Sequence, residues 1–360
     1  MIKYGKHLAV LALLLMLLPW GTARALDSQE AVAIGNRRIY PSARELDLSE
    51  EDPGQAAVIA QALEKLPQLE TINLITRRGI CRWDVEELDL LRQAAPQARF
   101  RCGFDLFGQF VTSEDQRIEY KNVDIGNEGL PRLRRVIPYL ASCEYLLLDD
   151  CGVDDAQMDR LRRDTPQMEV VWRIHAGAYT VLTDTDLIRP GNGQCDDRYT
   201  PLFRYCHDTR YLDIGHNETV TNVDFVEDMP KLQVAIVAIS GVGDLTPLTK
   251  CPELEYLETF SNRVTDITPL AQCENLEHLN IGNLPKLSDI SPLYGLKKLK
   301  RLRICYAHSV PEAQIKGFAR AHPECLVDTE DLYPTGGVWR RTADGGYAPR
   351  YALLREQMRY

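Results

Sequence analysis

The chain has 360 residues, 44% hydrophobic and 26% charged, and a formal net charge of −10. That balance excludes broad disorder, and the acidic charge argues against nucleic acid, whose phosphates need a cationic footprint. Residues 1–25 stand apart and read as a secretory signal peptide. Lys3, Lys6 and His7 make a basic start, Leu8 to Leu18 is an unbroken apolar run, and Pro19-Trp20-Gly21 breaks it before Ala23-Arg24-Ala25. The run is shorter than the about 20 residues a spanning helix needs, so cleavage near Ala25 is favoured over an uncleaved anchor. The mature chain would carry −13 after losing Lys3, Lys6 and Arg24. It would be secreted or held at the extracellular surface with no membrane span.

Residues 26–177 alternate helix-like and strand-like segments. Ala57 to Pro67 leads into Leu69–Leu74, Glu86 to Pro96 into Ala98–Cys102, and Ala156 to Pro166 into Met168–Trp172. Ala313 to Pro323 with Cys325–Val327 repeats the arrangement near the far end. Ile59/Ala62, Leu88/Leu91, Met158/Leu161 and Ile315/Phe318 are apolar pairs three apart before each proline. That spacing is one face of a helix, which the proline stops. Leu46-Asp-Leu48, Val123-Asp-Ile125 and Leu146-Leu-Leu148 are expected strands of the same ladder. We read irregular helix-backed repeats, with a separate α/β domain as the alternative. Residues 178–198, containing Pro190-Gly-Asn-Gly, are expected to be a loop insertion.

Residues 199–310 hold four versions of one tetrapeptide: Tyr199-Thr-Pro-Leu202, Leu245-Thr-Pro-Leu248, Ile267-Thr-Pro-Leu270 and Ile290-Ser-Pro-Leu293. Each leads to a second apolar block, centred on Leu212, Leu257, Leu279 or Leu302. Leu257 to Leu279 is 22 residues and Leu279 to Leu302 is 23, while the 46 from Leu202 to Leu248 leave room for a degraded unit at 222–237. Leu254-x-x-Leu257-x-Thr259-x-x-Asn262 and Leu276-x-x-Leu279-x-Ile281-x-Asn283 resemble the leucine-rich repeat motif. The repeat length and the D-[IL]-[TS]-P-L phrase resemble the internalin-like bacterial subclass. The resemblance implies an α/β solenoid, with a parallel β ladder on the concave side and helices and turns on the convex side. In such a stack Leu257 and Thr259 face in and Glu258 out. Asn217, Asn262 and Asn283 are expected to turn their amides inward onto backbone groups.

Residues 311–360 are expected to form a capping repeat and tail, with YALLREQMRY as a terminal helix shielding the last core face. Cys206, Cys251 and Cys273 occupy equivalent places, and Gly295 lies near that place in the next unit, which suggests a small buried residue. Cys195 with Cys206 and Cys143 with Cys151 are disulfide candidates, Cys251 with Cys273 a further one. No C-x-x-C occurs, so no metal or cofactor site is expected. His207, Asp208, Asp213 and His216 form the densest titratable cluster, at no metal-ligand spacing. It reads as solvated surface.

The register places Tyr211, Asp213, His216, Val234, Ile236, Ile239, Tyr256, Glu258, Phe260, His278, Asn280, Arg301, Arg303 and Tyr306 on the concave face. Aromatic and arginine residues around an aliphatic strip have the composition of a binding surface. Cover of the strip by the 178–198 insertion is the bland alternative, a plain spacer the third. Leucine-rich repeat proteins mostly bind other proteins, and exported bacterial members often act at the cell surface, so the resemblance points to a non-catalytic, monomeric binder of a protein or peptide. A surface glycan is the second ligand class. A cell-envelope enzyme on a repeat scaffold, a hydrolase or a Cys-dependent one, is the alternative function.

Overall fold

The computed structural model describes residues 30–330, 333–336, 339–342 and 344–360. The expected signal peptide, residues 1–25, lies outside the described residues. Two compact units divide the described residues: 30–116 with 129–143, and those of 117–128 with 144–360.

In the first unit the strands Glu45–Asp47, Thr71–Asn73 and Arg99–Arg101 form a parallel sheet. Leu46, Ile72 and Phe100 share one register column and are buried. Helices Ala56–Leu63 and Val85–Ala94 back the sheet as the prolines implied, and the pairs Ile59/Ala62 and Leu88/Leu91 are buried. The second helix starts on a capping box, Asp84 with Glu87, which satisfies the first free backbone N–H groups. Hairpins Val32–Ile34/Arg37–Ile39 and Gly103–Leu106/Gln109–Thr112 also belong to the unit, with most of helix Gly126–Val136 and the 3-10 turn Ile137–Tyr139.

The second unit holds two sheets. One runs Tyr179–Leu182, Glu169–Ala176, Tyr145–Asp149, Arg117–Lys121, with helix Asp155–Asp164 packing Met158 and Leu161 inward. The strand expected at Val123–Ile125 is Arg117–Lys121 instead. It begins where Ile118 and Tyr120 alternate with charged neighbours, a pattern the sequence reading passed over. The expected loop insertion at 178–198 is also corrected: Tyr179–Leu182 returns antiparallel on its predecessor, and Leu187–Ile188 opens the second sheet.

That second sheet is parallel throughout, in chain order: Leu187–Ile188, Tyr211–Asp213, Val234–Ile236, Tyr256–Glu258, His278–Asn280, Arg301–Arg303 and Leu326–Asp328. Leu212, Ala235, Leu257, Leu279 and Leu302 fall in one column and are almost fully buried. Each coil therefore covers its neighbour's core residue, which one coil alone could not do. The T-P-L phrases are 3-10 turns with proline in the first turn, where its missing N–H costs nothing. The aspartates that precede them have a job: Asp244, Asp266 and Asp289 accept the backbone N–H groups of Thr246, Thr268 and Ser291 at 2.8 Å.

Past each of the five inner strands one residue turns left-handed: His216, Ile239, Ser261, Asn283 and Tyr306, with φ between 49 and 59°. Asn217 and Asn262 follow that turn and point inward. Asn262 gives its amide to the carbonyls of Val237 and Thr259 at 2.7 and 3.2 Å and accepts the N–H of Ser240 at 3.0 Å. Asn283 is the exception. It sits on the left-handed residue itself, exposed, and donates to the Ser261 hydroxyl. The turn keeps the same distance from the strand as in the other coils, and the inward place goes to buried Leu284. Gly295 is likewise not the counterpart of the buried cysteines; Leu296 closes that turn, so the place does not demand a small residue.

Candidate functional site

A three-residue strand leaves two side chains on the open side of the ladder. They form two columns, Tyr211, Val234, Tyr256, His278, Arg301 and, beside it, Asp213, Ile236, Glu258, Asn280, Arg303. The register thus brings together ten of the concave residues named from the sequence. Phe260 lies just past its strand, while His216 and Tyr306 sit on left-handed turns. The 22–23-residue period, the parallel ladder and the proline-led turns have one reading. The fold is a leucine-rich-repeat solenoid.

No family model and no curated protein matches the chain. Solved structures similar to this leucine-rich-repeat solenoid include internalin C2 of Listeria monocytogenes, at 20% identity, 64% of this chain, 81% of that one and a TM-score of 0.31. Internalin F of the same organism is 18% identical over 84% and 88% of the two chains, with a TM-score of 0.34. A leucine-rich-repeat protein of Leptospira interrogans is 15% identical over 74% of each, with a TM-score of 0.39.

The open wall expected of this face is closed. Val234, Ile236, Tyr256, Glu258, Phe260, His278, Asn280 and Arg303 are buried, Tyr211, Asp213, Arg301, Tyr306 and Ile239 are half-buried, and His216 is exposed. The cover is the chain's own C-terminal segment, not the 178–198 stretch. Trp339, Ala348, Tyr351, Leu354 and Met358 form one apolar cluster with Val234, Ile236, Tyr256 and Phe260. Tyr351, Leu354 and Met358 come from the terminal helix Pro349–Gln357 and its end, three and four residues apart on one face. The helix was expected; its seat was not. It lies on the concave face instead of capping the last coil.

Electrostatics fix the segment at three points. At the centre Glu258, with no exposed surface, accepts the indole N–H of Trp339 at 2.7 Å, an Arg340 guanidinium N–H at 2.5 Å and the Tyr256 hydroxyl. Burial works against the Arg340 charge, but the Glu258 carboxylate outweighs it and holds the guanidinium firmly protonated. Burial and the same carboxylate push the Tyr256 hydroxyl well above its ordinary value. At one side the Tyr360 hydroxyl donates to Asp213 at 2.5 Å, and Arg359 grips Asp186 at 2.7 and 3.0 Å. At the other, Arg303 pairs with Asp328 and donates to the carbonyls of Glu330 and Tyr333. Between these lies His278, whose Nδ1 has no hydrogen-bond partner; burial, then Arg350, Arg301 and Lys300, lower its pKa to about 3.

The other sequence candidates scatter. His207 meets Arg162, Asp208 pairs with Lys231, and Asp213 faces Tyr360, so no catalytic cluster assembles there. All ten cysteines stand as thiols, and neither Cys195 with Cys206 nor Cys143 with Cys151 forms a disulfide. The reason is local: Cys206 closes a buried 3-10 turn, while Cys195 gives its N–H to Asn217 in a different part of the coil. Among the described residues no group of His, Cys, Asp or Glu is placed to hold a metal ion, and no helix is long and apolar enough to cross a membrane. What the sequence reading missed is the other half of the site, Trp339, Arg340, Tyr351, Leu354, Met358 and Tyr360. A signal for it exists: residues 339–360 carry five arginines and four aromatic residues against two acids. The ladder offers the complementary Asp186, Asp213 and Glu258.

Proposed function

We propose that this chain is a non-catalytic leucine-rich-repeat scaffold, exported from the cell, that binds a protein or peptide segment on its concave face. One observation carries the reading. Three ladder side chains donate to main-chain carbonyls of the segment lying across them: Asn280 to Pro334 at 2.9 Å, Arg301 to Trp339 at 3.1 Å and Arg303 to Tyr333 at 3.2 Å. Every peptide presents such carbonyls, so this face is equipped to hold extended chain, and the aromatic and aliphatic floor adds burial. Export is supported by the basic start and short apolar run of residues 1–25.

The test is to pan a random peptide display library against the full chain carrying Trp339→Ala. Recovered peptides should protect amides of the ladder strands from 211 to 303 in hydrogen exchange. Recovery of no peptide, or of peptides that protect only other surfaces, would overturn the reading.

A further inference from the structure

The cover on the concave face resembles a bound ligand more than a further layer of the fold. Among the described residues it adds no strand to the ladder. At its centre it is held by Glu258, 81 and 82 positions away in sequence from its two tail donors. The contacts also sort into two kinds. Those from Asn280, Arg301 and Arg303 go to main-chain carbonyls and read no side chain. Those at Glu258 read two adjacent side chains, an indole and a guanidinium.

The setting of Glu258 sharpens this. A buried carboxylate is a poor stabiliser: an apolar residue of similar size in that column, under an apolar tail, would be as stable or more so. What a buried carboxylate supplies is selectivity, since a partner without matching donors leaves it unpaired at a cost of several kcal/mol. The walls fit the same guest. The Trp339 ring centroid lies 5.7 Å from that of Tyr256, and the Arg301 guanidinium lies 4.9 Å from the Trp339 ring centroid. An indole is the best of the aromatic faces for such a cation. Arg340 runs past the Tyr351 ring at 5.0 Å to reach Glu258.

We propose that the Glu258 cradle recognises a protein segment with tryptophan followed directly by arginine, and that Trp339 and Arg340 hold the cradle in cis until such a segment displaces them. This rests on the concave-binding reading above and names its ligand. Tethering gives the tail an effective concentration on the order of millimolar, so an outside segment competes poorly while the tail is intact. Loosening the tail should therefore reveal the site.

The experiment uses the full chain and a fluorescein-labelled synthetic peptide of residues 333–342, read by anisotropy. Wild type should bind it weakly. Trp339→Ala with Arg340→Ala should bind at least 10-fold more tightly, and adding Glu258→Gln to that pair should remove at least 10-fold. A peptide with alanine for its tryptophan should not bind the double variant. Equal binding to wild type and a folded double variant, or indifference to Glu258→Gln, overturns the proposal. Should the double variant fail to fold, Arg340→Gln replaces it, keeping the indole in place. A gain of at least 3-fold in peptide affinity then supports the proposal and no gain overturns it. The display selection separates the two readings. Peptides that protect the ladder but lack the tryptophan–arginine pair sink this inference and leave concave binding standing.

Discussion

Trp339 gives its indole N–H to Glu258 at 2.7 Å across 81 positions of chain, and both residues are buried. The bond satisfies a carboxylate that has no exposed surface, and the ring fills the space over Tyr256. Trp339→Ala removes both at once, so the tail should open locally without unfolding the ladder. Truncating a buried tryptophan costs about 3–5 kcal/mol. Trypsin cleavage after the tail arginines should accelerate by on the order of 100-fold or more, with cleavage inside residues 199–304 unchanged. An unaltered tail cleavage rate would show that Trp339 does not hold the segment down.

Much of this was legible beforehand, and the boundary is physical. The two concave columns followed from Leu257, Leu279 and Leu302 alone, because a period-2 strand with a buried centre puts Tyr256 and Glu258 on the other face. Periodicity says which face a residue takes, not what lies against that face. The cover is a non-repeating segment whose pairing with Asp186, Asp213 and Glu258 is long-range, and no local spacing encodes it. Asn283 was misplaced for a related reason. The asparagine stands four residues past Leu279, whereas Asn262 stands five past Leu257, so with the turn spacing unchanged it takes the left-handed place and not the inward one. The motif tolerates the letter while the geometry does not.

His278 should make the cover sensitive to acid. Its pKa is lowered to about 3 under the tail, by burial first and then by Arg350, Arg301 and Lys300, while an uncovered histidine titrates near 6.5. Above pH 6.5 both states hold it neutral and it contributes nothing. As pH falls below 6.5 the open state takes a proton that the closed state refuses, so closure weakens by about 1.4 kcal/mol per pH unit down to about pH 3. Asp213 works the other way: burial raises its pKa, so acid favours the closed state there. The histidine term should prevail at pH 5. Hydrogen exchange of the helix Pro349–Gln357, corrected for intrinsic rates, should show opening at least 10-fold more frequent at pH 5 than at pH 7.5. His278→Gln should reduce that ratio below 3-fold, and a ratio unchanged in the variant would remove His278 as the cause.

The two asparagines give a paired test of the coil geometry. Asn262→Ala strands the N–H of Ser240 and the carbonyls of Val237 and Thr259 in the interior. Leaving buried backbone groups unpaired costs about 1–3 kcal/mol in total stability. Asn283→Gly leaves an exposed left-handed position with the residue that adopts it most readily. Its effect should lie within about 0.5 kcal/mol. Denaturant midpoints of the two variants against wild type decide the matter, and equal losses would mean that Asn283 also braces the coil.

Thiol reactivity separates the scaffold from a Cys-dependent enzyme. Burial pushes the thiols of Cys102, Cys206 and Cys251 up to about 12, and those of Cys195, Cys273 and Cys325 to about 11. At pH 8 a thiol with a pKa of 12 is ionised in about one molecule in ten thousand, and the thiolate is the reacting species. Cys81 is the one cysteine that is not buried. Native protein treated with a thiol-specific aromatic disulfide at pH 8 should therefore release about one equivalent promptly, from Cys81. The remaining nine should follow only on unfolding, and Cys81→Ser should abolish the prompt phase. A second fast-reacting thiol, above all at Cys206 beside His207, would mean a lowered pKa inside the repeats and would return nucleophilic catalysis to contention.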